Sequence, residues 1–335
     1  MTARHAAAPG IDAPVLVTGA SGFIGSRLCA SLERAGVRVR RGASPRTARK
    51  RALAPDEVGY DLAATEATLV PLLEGCAAVV HLAGLAHEAG RGRSDADFHA
   101  ANVVATERLA RAAARAGARR FVFASSAKVF GESSPAGHAY DERDPPRPHG
   151  PYGQSKWQAE QVLARVADES ALETVVLRPP LVFGPGVKAN FLQLVEAVAR
   201  GVPLPFGRLR NARSILGVDN LVAAIERCLV DARAARQTFV IADPPPLSTP
   251  ELVRGIAAAL GVPARLLPVP MPLLAAVARL AGRSAALEKI AGDFVVDPRL
   301  IETTLDWRPP VSLADMLAQT AAWYRATRGA ANPAE

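Results

Sequence analysis

The chain reads as an α/β protein, a doubly wound parallel sheet with a smaller C-terminal region interleaved with it. Three observations predict this. Short apolar runs rich in Val and Phe alternate with helical patterns through the first half, as strands do when crossover helices cover both sheet faces. The first run leads straight into a turn holding Gly19, Gly22 and Gly25 and then into a helix. After Arg178 the pattern gives way to short segments punctuated by proline, among them Pro179, Pro180, Pro185, Pro203 and Pro205.

Residues 15–18 (Val-Leu-Val-Thr) form the first expected strand, followed by Gly19-Ala20-Ser21-Gly22-Phe23-Ile24-Gly25. Ile24, Leu28 and Leu32 then recur at helical spacing until Gly36, and residues 37–40 give a second strand. Each glycine has its own duty in such a unit. Gly19 permits the tight turn, Gly22 lets backbone approach a pyrophosphate, and Gly25 lets the helix lie close to the strand. The helix start adds N–H groups and the positive end of its dipole. A dinucleotide cradle at Gly19, Gly22, Phe23, Ile24 and Gly25 is expected, against the plainer reading of a glycine-rich turn. With it the sheet becomes Rossmann-like.

More βα units come next. Residues 77–84 read as a buried strand running into a loop, and Asn102 as the start of a helix through Leu109 and Ala114. Residues 121–126 form a strand ending in Ser125 and Ser126, and 174–178 another, after the helix carrying Lys156. Ligands of parallel sheets bind beyond the carboxyl ends of the strands, so these loops should converge on one crevice. Later come helices at 191–199 and 221–229 and a strand at 238–242 able to rejoin the sheet. The expected divisions are a disordered tail at 1–13, a dinucleotide-binding domain at 14–180 and a mostly substrate-binding region at 181–330. Segments near 215–242 return to the first domain.

Composition narrows the classes. The 335 residues are 49% hydrophobic and 21% charged, enough for a large core. No run of about 18 uncharged apolar residues occurs, so no membrane span is expected; residues 271–280 read as an amphipathic surface or partner helix. The first residues lack a secretory h-region. Cys29, Cys76 and Cys228 are widely spaced, without a CxxC, and no histidine pair has metal-ligand spacing, so neither disulfide nor metal is expected. A cytoplasmic location fits. The net charge of +8 comes from scattered Arg without interleaved aromatics, which argues against nucleic acid and suits an anionic small substrate.

Tyr152 and Lys156 lie four apart in Gly150-Pro151-Tyr152-Gly153-Gln154-Ser155-Lys156, on one helical face. A neighbouring ammonium would favour the phenolate and bring its pKa down toward the working range. Spacing alone is weak evidence; the glycine turn upstream and Ser126 at a strand end strengthen it.

Together these motifs resemble the extended short-chain dehydrogenases/reductases of the NAD-dependent epimerase/dehydratase family, over nearly the whole chain. Thr18 to Gly25 resembles TGxxGxxG. His81-Leu82-Ala83-Gly84 stands at the family's cofactor-contacting strand end, and Asn102, Val103 and Thr106 match its NVxGT helix, with Ala105 for Gly. Ser125 to Gly131 matches SSxxVYG with Phe130 for Tyr, Tyr152 to Lys156 matches YGxSK, and Leu305 to Pro309 resembles LGWxP with Asp306 for Gly. The resemblance implies that Ser126 binds the reacting sugar oxygen, Tyr152 moves its proton, and Lys156 holds the nicotinamide ribose. It also implies cofactor-side places for Leu82, Ala83 and Asn102, and an adenine contact for Asp61-Leu62. Plainer readings compete: helix caps for Ser126 and Asn102, a solvated surface residue for Lys156.

Where NAD enzymes place a carboxylate for the ribose 2′-OH, this chain reads Arg40-Arg41-Gly42-Ala43-Ser44-Pro45-Arg46. Small residues with arginines suit a 2′-phosphate, so NADP(H) is favoured over NAD(H), with Ser44 and Arg46 as contacts.

Family dehydratases carry Asp-Glu directly after the catalytic hydroxyl; here Ala127-Lys128 stands there. That leaves redox chemistry at C4 of a nucleotide-diphosphate sugar. The missing carboxylate and Leu181, where family epimerases usually have Asn, favour a single reduction. Residues 125–129, 178–191 and 211–214 resemble O-antigen enzymes acting on UDP-4-keto-6-deoxy-HexNAc and UDP-N-acetylquinovosamine. A UDP-hexose 4-epimerase (UDP-GlcNAc or UDP-Glc) is the alternative, and a non-catalytic dinucleotide-binding sensor or assembly protein ranks below both. The resemblance further implies a diphosphate contact at Arg213; Lys188 and Asn190 are read as second contacts, and Lys128, a cation beside the serine, as a contact to the N-acetyl or diphosphate oxygens, against plainer readings of a surface Arg, a loop-turn Asn and a solvated Lys128. A homodimer through helices near 102–116 and 155–166 is expected.

Overall fold

The computed structural model describes residues 11–85, 92–282 and 284–329, without the side chains of residues 46, 47, 285, 286, 328 and 329. Seven parallel strands form the central sheet: β1 Val15–Thr18, β2 Val39–Ala43, β3 Glu57–Gly59, β4 Ala78–His81, β5 Arg120–Ala124, β6 Glu173–Arg178 and, later in the chain, β9 Thr238–Val240. Their order is β3-β2-β1-β4-β5-β6-β9, so the direction of winding reverses between β1 and β4. The intervening helices are α1 Phe23–Arg34, α2 Pro45–Lys50, α3 Glu66–Leu73, α4 Asp95–Phe98, α5 Ala105–Arg115 and α6 Gly150–Asp168. Alternate sheet residues feed two cores. Val15, Val17 and Val80 pack with Leu28 and Leu32 of α1, whereas Leu16 and Val79 pack with Leu109 of α5 and Leu163 of α6. The doubly wound architecture predicted from the sequence is present.

Beyond Arg178 the chain builds a second, three-stranded sheet from β7 Leu181–Phe183, β8 Arg213–Gly217 and β10 Asp243–Leu247, in the order β10-β8-β7. Around it lie α7 Ala189–Ala199, α8 Val218–Val230, α9 Thr249–Leu260, α10 Met271–Leu280, α11 Ser284–Ala291, α12 Arg299–Leu305 and α13 Leu313–Gly329. Val253 and Ile256 of α9 pack with Val195 of α7 and Met316 and Leu317 of α13 in a core of their own. Besides β9, two stretches return to the main sheet: α8, with Leu221 and Ile225, and α12 with Trp307, all in the core shared with α1.

Four expectations need correction. Val37 does not begin β2; its N–H bonds back to the Leu32 carbonyl and closes α1, with Gly36 at φ 80°. Asn102 is not a helix start. Ser94 and Asp97 form a capping box ahead of it, and the helix widens into a π-helical turn at His99–Val104. The segment 238–242 is not one strand, because the chain leaves the main sheet after Val240 and enters the smaller one at Asp243. Residues 11–13 are not loose: Ile11 packs against the core and the Asp12 carbonyl accepts from Arg38 at 2.9 Å. Residues 1–10 of the expected tail lie outside the described residues. Among the described residues no helix is long and apolar enough to cross a membrane, no group of three or more His, Cys, Asp or Glu could hold a metal, and the three cysteines are buried thiols.

A buried polar chain joins the strand ends to the helices. Thr18 Oγ1 meets His81 Nδ1 at 2.7 Å and accepts from the N–H groups of Leu82 and Ala83 at 3.2 and 3.3 Å. His81 Nε2 meets Thr106 Oγ1 at 3.0 Å, and Thr106 donates to the Asn102 carbonyl at 2.6 Å. Burial, with a contribution from the Lys156 ammonium, pushes the His81 imidazole down to about 3. A histidine depressed this far stabilises the fold fully above its unfolded value near ~6.5 and loses that contribution as pH falls toward its folded value. The Glu142 and Asp243 carboxyls, pushed up by burial, act in the opposite sense as pH falls, so the His81 contribution is isolated by comparison with a variant. The melting temperature measured by calorimetry should fall as pH drops from about 6.5 to about 5. His81→Gln should be less stable at neutral pH and should flatten that slope; an unchanged slope would place the acid sensitivity elsewhere.

Candidate functional site

Because the seven strands are parallel, their carboxyl ends share one edge. Along the sheet from β3 to β5 that edge carries Asp61 and Leu62, Ser44, the Gly19 turn, Leu82 and Ala83, then Ser125 and Ser126. The reversal between β1 and β4 lies in the middle of this row, where open α/β sheets take their ligands. Gly19 has φ 68°, and a Cβ there would come 3.0 Å from the Ala83 nitrogen and the Leu82 carbonyl carbon. A Cβ on Gly25 would come 2.1 Å from the Gly19 carbonyl oxygen, so any side chain would push α1 off the turn. Gly22 caps α1 without a side-chain hydrogen bond, and the first turn has no acid. The N–H groups at the helix start and the close helix fit a dinucleotide pyrophosphate.

The structure brings Ser126 and Tyr152 together. Ser126 comes just after β5 and caps a 3-10 turn at Ala127–Phe130, accepting from the Lys128 N–H at 3.2 Å. Its hydroxyl also hydrogen-bonds Tyr152, in the first turn of α6. Gly153 permits this approach, since a Cβ there would lie 2.9 Å from the Lys128 carbonyl oxygen. The Tyr152 ring meets Phe98 edge-on, at 6.5 Å between centroids. One turn further, Lys156 is buried; its ammonium donates to the Ala124 carbonyl at 2.8 Å and lies 4.6 Å from the Phe123 ring centre.

The electrostatics reverse one expectation. Burial pushes the Tyr152 phenol up, with the Ser126 hydrogen bond opposing, whereas a neighbouring ammonium was expected to bring it down. Burial also pushes Lys156 down to about 8, against the pull of Glu160. The lysine donates to a strand-end carbonyl and stacks on Phe123, so desolvation governs both groups.

Asn102 holds the loop after β4. Its Oδ1 accepts from the Leu85 N–H at 2.7 Å, and its Nδ2 donates to the Leu85 carbonyl and to Ser155 Oγ at 3.0 and 2.9 Å. Ser155 in turn donates to the Tyr152 carbonyl at 2.9 Å. Asn102 thus supports the backbone of the loop after β4, and the helix-cap reading is set aside.

At the end of β2 the arginines divide. Arg41 is paired with Glu33 and Asp56 at 2.5 and 2.7 Å, and Arg40 donates to the Leu72 and Glu74 carbonyls. Neither is left for a ligand at Ser44, which is exposed. The Arg46 side chain lies outside the described residues. Asp61 accepts from the Ala63 N–H at 2.9 Å, while Leu62 packs against the α3–α5 core.

Lys128 and Arg213 come together as well. Lys128 donates to Glu132 at 2.5 Å and lies 5.5 Å from the Phe294 ring centre. Burial lowers its pKa, Glu132 opposes, and the nearby Arg213 and Lys289 lower it further. Arg213 donates to the Gly292 carbonyl at 2.9 Å and is itself lowered by burial. Lys188 and Asn190 stand exposed at the start of α7, where Lys188 is the cap residue and Ala189 has φ 55°. No hydrogen bond ties them to the Lys128 group among the described residues.

Sequence reasoning missed Glu132, Lys289 and the carboxylate of Glu160. Glu160 accepts from Ser125 and, at 2.6 Å, from Arg178, with both ion-pair side chains 5% exposed. The signal for Glu160 was its i+4 spacing from Lys156 on a buried helix face. Lys289 reaches Glu132, at 3.9 Å, only through the fold.

Comparison with known proteins agrees with this geometry. Residues 15–242 match the NAD dependent epimerase/dehydratase family. A Vibrio cholerae protein named UDP-glucose 4-epimerase is 36% identical over 310 residues, covering 92% of this chain and 94% of that one. Among solved structures, MoeE5 in complex with UDP-glucuronic acid and NAD superposes with a TM-score of 0.74 at 27% identity, over 94% of this chain and 99% of that one. RMD from Pseudomonas aeruginosa complexed with NADPH shares the fold, with a TM-score of 0.74 at 22% identity over 94% and 99% of the two chains. With its glycine turn, its Ser126–Tyr152 pair and its sheet order all in place, the chain belongs to the NAD-dependent epimerase/dehydratase family.

Proposed function

We propose that this enzyme transfers a hydride at C4 of a nucleotide-diphosphate sugar, reducing a UDP-4-keto-6-deoxy-HexNAc in surface-polysaccharide synthesis. The observation that carries the reading is the pair of residues directly after Ser126. The 3-10 turn presents Ala127 and Lys128, and Lys128 is neutralised by Glu132 one turn on. Without an acid and base beside the Ser126–Tyr152 hydroxyls, elimination across C5 and C6 has no proton carriers, and redox at C4 remains.

In this reading Ser126 holds the sugar O4 and Tyr152 protonates it. A bound nicotinamide dinucleotide supplies the hydride. A phenol pushed up by burial is protonated at neutral pH, the state a proton donor needs for reduction. Lys156 holds the ribose side of the site. Arg213 receives the diphosphate, to which a guanidinium offers a forked pair of donors; Lys128, held by Glu132, shares its contacts with the N-acetyl or diphosphate oxygens, and Lys188 and Asn190 are outer contacts. The Gly19–Gly25 turn, Leu82, Ala83, Asn102, Asp61 and Leu62 form the dinucleotide cradle. With Arg40 and Arg41 otherwise engaged, recognition of a 2′-phosphate falls to Ser44 and Arg46, and NADP(H) is preferred. The protein acts in the cytoplasm as a homodimer through α5 and α6. Their outer residues include Glu107, Arg111, Gln158 and Gln161, so that contact is polar.

The Vibrio cholerae relative favours a second reading, a UDP-hexose 4-epimerase. Incubation with UDP-4-keto-6-deoxy-GlcNAc, monitoring NADPH and NADH absorbance separately, decides between them. Stoichiometric oxidation of NADPH is expected. No net oxidation, with interconversion of UDP-GlcNAc and UDP-GalNAc, establishes the epimerase. Tyr152→Phe should lower single-turnover hydride transfer by about 10²-fold or more while NADPH still binds by fluorescence; near-normal transfer would remove Tyr152 from its role. Lys128→Ala should raise the KM for the UDP-sugar by about tenfold with kcat little changed, and an unchanged KM would turn Lys128 away from the substrate.

A further inference from the structure

The helix α10 departs from the pattern of the rest. Of its residues only Leu274 is buried. Met271, Leu273, Val277 and Leu280 are 43%, 55%, 56% and 89% exposed. Leu273, Val277 and Leu280 recur at i, i+4 and i+7 and so share one face. Leu267 just before the helix and Ile290 in α11, which packs against α10, are exposed too. The redox chemistry proposed above makes no use of this strip.

Its charge surroundings are one-sided. Between Glu251 and Glu288 the sequence has no acidic residue, yet it carries Arg254, Arg265, Arg279 and Arg283, with Lys289 on α11 just beyond. The segment after α10 is nonetheless tied to the neighbourhood of Arg213 and Lys128. The Ile290 carbonyl accepts from Asn211 and Thr249 at 3.0 and 2.8 Å, and the Gly292 carbonyl from Arg213. Lys289 reaches Glu132, the partner of Lys128.

Aliphatic side chains on one face of a helix that carries Arg279 and no carboxylate of its own complement an anionic bilayer surface. The apolar side chains enter the headgroup boundary and the cations meet lipid phosphates. A second copy seated on the same strip would bring like charges, Arg279 among them, against each other. The helix spans about 15 Å, far too short to cross a bilayer but suited to lying in its surface. We propose that α10 and the turn before it dock this protein onto an anionic membrane surface.

The test uses the full chain and sedimentation with two vesicle types, phosphatidylcholine alone and phosphatidylcholine mixed with phosphatidylglycerol. Binding to the mixed vesicles, weakening with added salt, is expected. A Leu273→Ser, Val277→Ser, Leu280→Ser variant should lose about tenfold or more of that binding while melting temperature and hydride transfer on a soluble UDP-sugar stay unchanged. Vesicle binding is read without turnover, so failure of the sugar reading leaves this result standing. The proposal is overturned if the wild-type chain ignores both vesicles, or if the folded variant binds as well as wild type. It is also overturned if light scattering shows a dimer that the variant abolishes, because the strip then seats a second copy.

Discussion

The buried hydrogen-bond chain from Thr18 to Ser155 is the constraint on which the crevice depends. Thr18 Oγ1 already accepts from two backbone N–H groups, so its own proton must go to His81 Nδ1. The imidazole then carries its proton on Nε2 and donates to Thr106, whose proton goes to the Asn102 carbonyl. Every donor points the same way along the chain, and only a neutral imidazole allows it. A second ring proton would face an oxygen with no lone pair to spare, in agreement with the depressed pKa of His81. Each bond contributes only about 1 kcal/mol net, but a buried group left unpaired costs more. The chain therefore locks the exits of β1 and β4 to the α4–α5 helix, and the Asn102 side chain carries the lock through Ser155 to the backbone of Tyr152.

A second lock is ionic. Glu160 receives Ser125 from the end of β5 and Arg178 from the end of β6, and both ion-pair partners are almost fully buried. Arg178 also lies over Phe130 and Trp157, at 5.0 and 5.8 Å from the ring centres. Such a pair contributes little net stability relative to apolar packing, yet removing one partner leaves a buried charge exposed to full desolvation cost. Its effect is geometric. It fixes where β5 releases the chain, and hence where Ser126 stands relative to α6. Phe130, where the family has Tyr, fits this arrangement, with its ring stacked on Tyr140 at 4.9 Å and covered by the Arg178 guanidinium.

Much of this was legible in the sequence because it is local. The glycine turn, the strand-end hydroxyls and the Tyr152–Lys156 spacing each lie within a few residues, and parallel strands bring their exits to one edge automatically. A departure from the family pattern also has a local explanation. Asp306 stands where LGWxP has glycine, and its φ of 51° is the left-handed conformation that glycine takes freely and Asp tolerates; an exposed ion pair with Arg233 at 2.9 Å accompanies it. What could not be read was long-range or conformational. Glu132 and Lys289 are distant in sequence and meet only in the fold, and the fate of Arg41 depends on Asp56 folding back onto β2. The π-helical turn at His99–Val104 leaves no periodic trace strong enough to find. The Ser94–Asp97 capping box was present in the sequence and would have moved the helix start upstream of Asn102.

The reversed electrostatics of Tyr152 and Lys156 arise from the same packing. An ammonium lowers a neighbouring phenol only when its field reaches the phenol more strongly than burial penalises the phenolate. Here the strand-end carbonyl of Ala124 takes the Lys156 proton donor, and the Phe123 ring takes its face. Desolvation then acts on both groups, lifting the acid and depressing the base, so each is drawn toward its neutral form. A neutral phenol bonded to Ser126 is a donor waiting for an oxyanion, whereas a phenolate would be a base waiting for an alcohol. Burial thus holds the resting Tyr152 as a neutral hydrogen-bond donor, and a phenolate there would have to be stabilised against desolvation.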